Sequence, residues 1–367
     1  MTFKSKRIIQ ITDLHIKNEE PFFRAAVTLY NYIIMSLKNE QEPFIFLDGG
    51  DHFHISKETG RVNNEVVTFF LRLAAIPQCE HIFVMQGNHD VKEETGSALD
   101  VLKNLNDKIQ VIEFPYLFSK DMSLTADNPY IDNLVYLLPH MKPFSYEGYS
   151  DIKSYGDEDF HRNYWKPLDW DTIKNNIKFV SFHGGDETTG KLFMNADISF
   201  IPGIRSNGHI HKQISNNHLP SITITRRDEV DKLCFIRYID MDKWEIRSIG
   251  VPLFLNYAQI AYGEDLDDYF RSGLHTMPGE SLIVDIYGHD DKDLVIKEYT
   301  EKWKNRVNPK IYIGEVTPVE RKGEAVLIDK NSESDFNSIN IKELFIEFSE
   351  EKKLSKSISD DLISRIA

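Results

Sequence analysis

The sequence predicts a layered α/β domain followed by a small α+β unit and a helical tail. Three observations lead there. Over the first 250 residues, short apolar runs rich in Ile, Val and Phe alternate with segments of helical spacing. From about residue 221 the pattern turns to alternating strands that read as an antiparallel meander. Clusters of Asp, His, Asn and Gly follow one strand after another, at the end where α/β sheets place their ligands.

The elements run in this order. "RIIQIT" (7–12), "FIFL" (44–47), "HIFVM" (81–85), "LVYLL" (134–138), "KFVSF" (178–182) and "ISFI" (198–201) read as buried strands. "FFRAAVTLYNYIIMSLKN" (22–39) and "VNNEVVTFFLRLAAI" (62–76) carry apolar residues at helical spacing, and Pro77 stops the second. "SALDVLKNLND" (97–107) is a third expected helix, whereas 118–175 reads as an irregular, aromatic surface insertion. "SITITRR", "KLCFIRYIDM" and "KWEIRSI" form the meander, and "ESLIVDIYG", "KDLVIKEYTEKWKNRV" and "PKIYIGEV" a strand–helix–strand unit at about 280–316. These divide the chain into domains at 1–250 and 251–320, a polar linker at 321–340, and a tail of two amphipathic helices at 341–367.

Composition narrows the function. The 367 residues exceed what one core usually supports, and 41% hydrophobic content rules out a disordered chain. Cys79 and Cys234 sit in apolar strand-like stretches, which argues against a disulfide or zinc framework and for a cytoplasmic setting. Met1–Lys6 leads straight into a strand, so no signal peptide is expected. No apolar run approaches the ~18 residues that a bilayer demands, so no membrane is expected. A net charge of −15 excludes broad attraction to nucleic acid, and positive charge at any phosphate must come from local cations or metal.

The polar clusters are Asp13-Leu14-His15, Gly49-Gly50-Asp51-His52-Phe53-His54, Gly87-Asn88-His89-Asp90, His183-Gly184-Gly185 and Gly208-His209-Ile210-His211. Asp13 and His15 are two apart, as are His209 and His211, so in extended backbone each pair points one way. Any one cluster is ordinary turn vocabulary. Five in succession supply carboxylate, imidazole and amide ligands without thiolate, a mix that suits Mn²⁺, Fe or Zn²⁺ and exceeds one ion's needs. Two ions bridged by a carboxylate would absorb the set and activate water against phosphorus.

In this order, D-x-H, G-D-x-F-H, G-N-H-D, H-G and G-H-x-H resemble the calcineurin-like metallophosphoesterase signature over about 7–212. The stretch Asp51-His52-Phe53-His54 and the terminal Asp90 are similar to the SbcD-type branch. That branch holds the meiotic-recombination nucleases and their bacteriophage counterparts. The resemblance implies a sandwich of two mixed sheets flanked by helices, with 1–250 as nuclease domain and 251–320 as a DNA-capping domain. It implies two divalent cations, Mn²⁺ foremost with Mg²⁺, Fe or Zn²⁺ as substitutes. One would lie on Asp13, His15, Asp51 and His211, the other on Asp51, Asn88, His183 and His209. His89 would stabilise the phosphorane or protonate the leaving oxygen, with Asp90 orienting it by a hydrogen bond. His54 would place DNA, or is a solvated loop histidine. "ITITRRDEVDKLCFIRYID" (222–240) lacks the Gly-Ser pair common in phage members, so no role is carried onto it.

The implied activity is a DNA exonuclease and endonuclease acting on double-stranded ends and single strands in end processing, recombination and repair, in a bacterial or phage-infected cell. The implied partner is a Rad50/SbcC-like ABC ATPase, docked through Leu344, Phe345, Phe348, Leu362 and Ile363 of the tail unless that tail packs on its own domain. Helices near 62–76 and 97–107 match the region through which relatives form homodimers, although "VVTFFLRLAAI" also suits core packing. A nucleotide or small-molecule phosphodiesterase and a non-catalytic scaffold remain alternatives; intact ligands count against the scaffold. His52, His81, His140, His161, His218, His275 and His289 have no motif support and read as structural or solvated. Lys103, Arg205, Lys212, Arg226 and Arg227 read as surface cations that could also meet phosphates.

Overall fold

β-Branched and aromatic residues without a polar alternation make strands that bury both faces, and Phe44–Asp48, Cys79–Met85, Leu134–Leu138 and Ile177–His183 do so. A computed structural model describes residues 3–57, 59–92, 96–119, 132–141, 152–166, 168–184, 196–211, 215–223, 229, 234–266, 281–305 and 310–318. All of them belong to one unit, Met1–Val319; the second unit, Glu320–Ala367, lies outside them, and with it the expected linker and tail helices.

The first sheet is built on β1 (Arg7–Ile11), β2 (Phe44–Asp48), β3 (Cys79–Met85) and β6 (Ile109–Ile112), which run parallel side by side. On its other edge β11 (Cys234–Asp240) pairs antiparallel with β1, and β12 (Glu245–Val251) with β11. The second sheet has the order β10-β9-β8-β7, from β7 (Tyr116–Ser119), β8 (Leu134–Leu138), β9 (Ile177–His183) and β10 (Ile204–Gly208); only β7–β8 is antiparallel. Side chains alternate between layers as the period of two demands. Ile45, Leu47, Phe83 and Met85 meet Val135, Leu137 and Phe179 between the sheets. Phe44, Phe46, Ile82 and Val84 point the other way, onto α1 (Phe22–Leu37) and α2 (Gly60–Ala74). The outcome is the expected pair of mixed sheets flanked by helices.

Helix α2 places Val62, Val66, Phe69, Phe70 and Leu73 in this core, so its apolar face is covered within the chain. The expected helix at 97–107 is instead a short strand, β5 (Gly96–Ser97), paired with β4 (Val91–Lys92), and one 3-10 turn, Ala98–Leu102. A capping box of Ser97 and Asp100 starts that turn, and Asn104 at φ 60° ends the segment in left-handed backbone. "ISFI" (198–201) is a turn; the strand follows it at β10, because Pro202 and Gly203 separate the apolar run from the sheet.

The region 118–175 is not a surface insertion where it is described. α3 (Glu158–Tyr164) and α4 (Trp170–Asn176) cover the outer face of the second sheet with Phe160, Trp170 and Ile173, beside Tyr155. The many aromatics there are core residues. His161 lies among them, accepting at Nδ1 from the Tyr136 hydroxyl at 2.8 Å and donating from Nε2 to the Tyr155 carbonyl at 2.9 Å.

The later strand–helix–strand unit forms as β14 (Ser281–Tyr287), α5 (Lys292–Trp303) and β15 (Lys310–Thr317). A strand not anticipated, β13 (Leu255–Ala261), lies parallel to β14 and makes a three-stranded sheet whose core includes Val284, Ile286, Val295, Tyr299 and Trp303. Leu255 and Ile283 pack on Ala25 of α1. Residues 224–227 of "SITITRR", Arg226 and Arg227 among them, fall outside the described set, as do Lys212 and His275. No helix among the described residues is long and apolar enough to cross a membrane.

Candidate active site

The five strands that matter here, three in the first sheet and two in the second, run parallel to one another within each sheet, so their carboxyl ends gather along one edge of the sandwich. β1 delivers Asp13 and His15, β2 delivers Asp51, and β3 delivers Asn88 and His89. From the second sheet β9 ends in His183, and β10 runs into His209 and His211. Three groups result, of which two carry a carboxylate, Asp13 with His15 and His211 (the first group) and Asp51 with His183 and His209 (the second), while the third is His15, His54 and His89.

The backbone is bent to make them. Asp13, His15, Asp51 and His209 all sit in the left-handed region, at φ 54°, 45°, 53° and 76°. Non-glycine residues seldom adopt it, and they cluster at functional sites when they do. Neighbouring groups hold these conformations. The amides of Asp13 and His15 donate to the carbonyls of Gly50 and Asp51 at 2.9 and 3.0 Å. Ser221 Oγ donates to the Asp13 carbonyl and Thr223 Oγ1 to the Leu14 carbonyl, both at 2.8 Å. The segment 221–223, to which sequence reasoning assigned no role, thus buttresses the first ligand loop. Gly87 faces Asp51 so closely that a Cβ would overlap the Asp51 amide nitrogen and Oδ1.

Asp51 lies between the two groups. Its Oδ2 is 3.7 Å from His15 Nε2 and 3.3 Å from His183 Nε2, while Oδ1 accepts from the His89 amide at 2.7 Å. In the first group Asp13 Oδ1 is 3.7 Å from His15 Nε2 and 3.8 Å from His211 Nε2, and the two imidazole nitrogens are 2.9 Å apart. In the second, Asn88 Oδ1 lies 3.3 Å from His183 Nε2 and 3.0 Å from His209 Nδ1. A cation with bonds of about 2.1 Å spaces its ligands roughly 3.0–3.4 Å apart. The separations here, 2.9–3.8 Å, bracket that spacing, and the oxygen–nitrogen set suits a borderline divalent cation.

The outer partners fix which nitrogen faces inward. His183 donates from Nδ1 to the Gly49 carbonyl at 2.8 Å, and His211 donates from Nδ1 to Glu229, leaving both Nε2 lone pairs toward the site. Glu229 is buried, and sequence reasoning missed it because its signal is a lone carboxylate in a weakly matching stretch. Burial pushes the Asp13 carboxyl up, but the bond from His15 and the charges of His183 and His211 bring it to about 2. Burial likewise opposes charge on His183, yet Asp51 outweighs it and lifts the imidazole to about 10, so a cation that takes Nε2 must displace a proton from it. The carboxylates are therefore ionised at neutral pH and attract cations.

His89 and His54 form one wall, with rings stacked at 5.8 Å and 17°. The expectation that Asp90 orients His89 is not met. His89 Nδ1 instead donates to the His54 carbonyl at 2.7 Å. The Asp90 carboxylate is fully buried and accepts from the amides of Phe53 at 3.0 Å, Gly87 at 2.9 Å and His52 at 3.4 Å. It ties the turn after β3 to the loop after β2, because three backbone amides crowded there need an acceptor and the imidazole already has one. Beneath the same loop, Asp48 accepts from His52 Nδ1 at 2.6 Å and His52 Nε2 meets the Tyr30 hydroxyl at 2.7 Å, a buried chain that makes His52 structural. Lys103 is paired with Asp100 and Glu113, and Arg205 donates to the Ile198 carbonyl; neither lies in the site.

A two-sheet sandwich with paired imidazole–carboxylate groups along one edge is the architecture of a hydrolase that works through divalent cations. The family model described as calcineurin-like phosphoesterase matches residues 6–220, more than half of the chain, and the protein belongs to that family. No relative among curated proteins matches. A solved structure of a novel archaeal phosphodiesterase shares 14% identity at a TM-score of 0.30, over 67% of this chain and 99% of that one, a likeness too slight to argue from.

Proposed function

We propose that the protein is a metal-dependent DNA nuclease, with exonuclease and endonuclease activity on phosphodiester bonds. The observation that carries the reading is Asp51, whose Oδ2 lies within 3.7 Å of an imidazole from each group and can serve both. Asp13, His15, Asp51 and His211 would hold one cation, and Asp51, Asn88, His183 and His209 the other, with Mn²⁺ foremost and Mg²⁺, Fe or Zn²⁺ as substitutes. Once bound, the pair supplies Lewis acidity toward the phosphate and water acidified toward neutrality.

The chain's own groups do the rest. His89 keeps its Nδ1 proton on the His54 carbonyl, so Nε2 is the atom that exchanges a proton with the leaving oxygen. Asp90 positions His89 through the backbone and not through the ring. The His54 ring extends the wall beside His89 and suits a flanking nucleotide. Two features favour DNA over a small ester: the Asp51-x-Phe53-His54 motif with terminal Asp90, and a second sheet unit packed on α1. The same reading places a Rad50/SbcC-like ABC ATPase on 341–367 and a homodimer contact on the outward side of α2 and of 97–107, in DNA end processing, recombination and repair.

The test is cleavage of duplex ends, single strands and bis-p-nitrophenyl phosphate by the full chain in Mn²⁺. DNA cleavage that EDTA abolishes, and that His89→Ala lowers about 100-fold or more, is expected. Hydrolysis of the small ester with both DNAs untouched would replace the reading by a small-molecule phosphodiesterase.

A further inference from the structure

His140 has no place in the motifs, yet three hydrogen bonds fix its backbone beside the site. Its amide donates to the Gln86 carbonyl at 2.7 Å, and Gln86 Nε2 returns a bond to the His140 carbonyl at 2.8 Å. The preceding carbonyl, on Pro139, accepts from the Tyr155 hydroxyl at 2.7 Å. Gln86 leads directly into Gly87-Asn88-His89, so His140 is locked to the same turn that carries a candidate ligand and the candidate proton donor. It stands at the carboxyl end of β8, whose Leu138 is in register with Phe182 of β9, one residue before His183.

His140 is 8% exposed, and its Nδ1 is sealed from solvent with no hydrogen-bond partner among the described residues. Buried polar atoms are nearly always partnered, and exceptions call for a reason. Burial pulls the imidazole down to about 4, with His183, Asp51, His209 and His89 acting on it in turn. Of these, Asp51, His183 and His209 make up the second group. With Nδ1 sealed, Nε2 is the ring atom left to meet a ligand, and as Nε2–H it is a donor.

We propose that His140 is a second substrate-contacting imidazole, donating from Nε2 to a phosphate oxygen of the bound phosphodiester. The inference rests on the phosphodiesterase reading of the site, though not on DNA as its substrate. His89 and His140 then grip the phosphate from two sides, one near the leaving oxygen and one on a non-bridging oxygen. Packing alone would not require a ring nitrogen at this position.

The experiment compares wild type with His140→Ala, His140→Phe and His140→Gln. Calorimetry reads binding of inorganic phosphate to the Mn²⁺-loaded chain, and steady-state kinetics read an oligonucleotide. Loss of one hydrogen bond to a charged oxygen predicts about tenfold weaker phosphate binding and about tenfold higher KM for Ala and Phe, with kcat nearly unchanged. Gln, which keeps a donor, recovers most of both. His140→Phe serves where Ala fails to fold, since it fills the same space without a donor. Phosphate binding unchanged in Phe, or absent in wild type, overturns the proposal. His140-dependent phosphate binding by a chain that cleaves no DNA keeps it and rejects the nuclease; DNA cleavage indifferent to His140 does the reverse.

Discussion

Glu229 takes the Nδ1 proton of His211 from eighteen residues further along the chain, and so decides that His211 offers Nε2 to the first group. A carboxylate behind a ligating imidazole raises its basicity and locks its ring. Glu229→Ala is therefore expected to weaken cation binding at that group about 10- to 100-fold. Mn²⁺ titration followed by calorimetry checks this, with the second group's affinity unchanged; equal weakening of both would point to misfolding.

Asp90→Asn separates a backbone role from a ring-orienting one. The amide would turn one NH₂ toward the Phe53 or Gly87 N–H, leaving a buried donor unpaired at a cost of about 1–3 kcal/mol. A lower melting temperature is expected together with lost activity, because the loops that carry Asp51 and His89 come apart. A variant of wild-type stability with only a shifted pH–rate profile would restore Asp90 as a direct partner of His89.

At Gly87 a methyl group has nowhere to go but into the Asp51 amide and carboxylate. Gly87→Ala should displace the shared carboxylate while the distant core keeps its packing. Circular dichroism near that of wild type, with bound Mn²⁺ falling from two to one per chain, is the expected pair of results. Two ions retained at full affinity would mean that Asp51 is not the shared ligand.

His161 gives stability a pH dependence far from the site. Burial holds its imidazole near 4 against 6.5 in the unfolded chain. Below pH 6.5 the unfolded chain takes up a proton that the folded one refuses, so stability falls with pH until about 4. The loss is on the order of 3 kcal/mol. Thermal denaturation between pH 7 and 4.5 measures it. His161→Gln, which keeps a donor for the Tyr155 carbonyl, should flatten the slope; an unchanged slope would assign it to other groups.

The sheets and the gathering of these Asp, Asn and His residues at one edge were legible because the information is local. A buried strand running into Asp, Gly or His says where the chain turns and which atoms it presents, and Asp13, Asp51, Asn88, His183 and His209 fell where their strands pointed. What stayed hidden depends on contacts distant in sequence. Asp90 resembled a partner for the adjacent His89, yet amides almost forty residues earlier claim it. Glu229 and His140 carry no spacing signal and enter the site only through the pairing of β1 with β11 and of β8 with β9. The helices at 158–176 were obscured because their aromatics serve a sheet face that the chain completes only afterwards.

The left-handed backbone at Asp13, His15, Asp51 and His209 has a cost that never disappears, of order 1–3 kcal/mol at each residue. The chain carries four awkward residues where glycine would rest easily. A library screened for heat tolerance alone would drift toward glycine or asparagine there and yield sturdier, inert proteins. Thermal selection on this scaffold should carry a simultaneous demand for turnover.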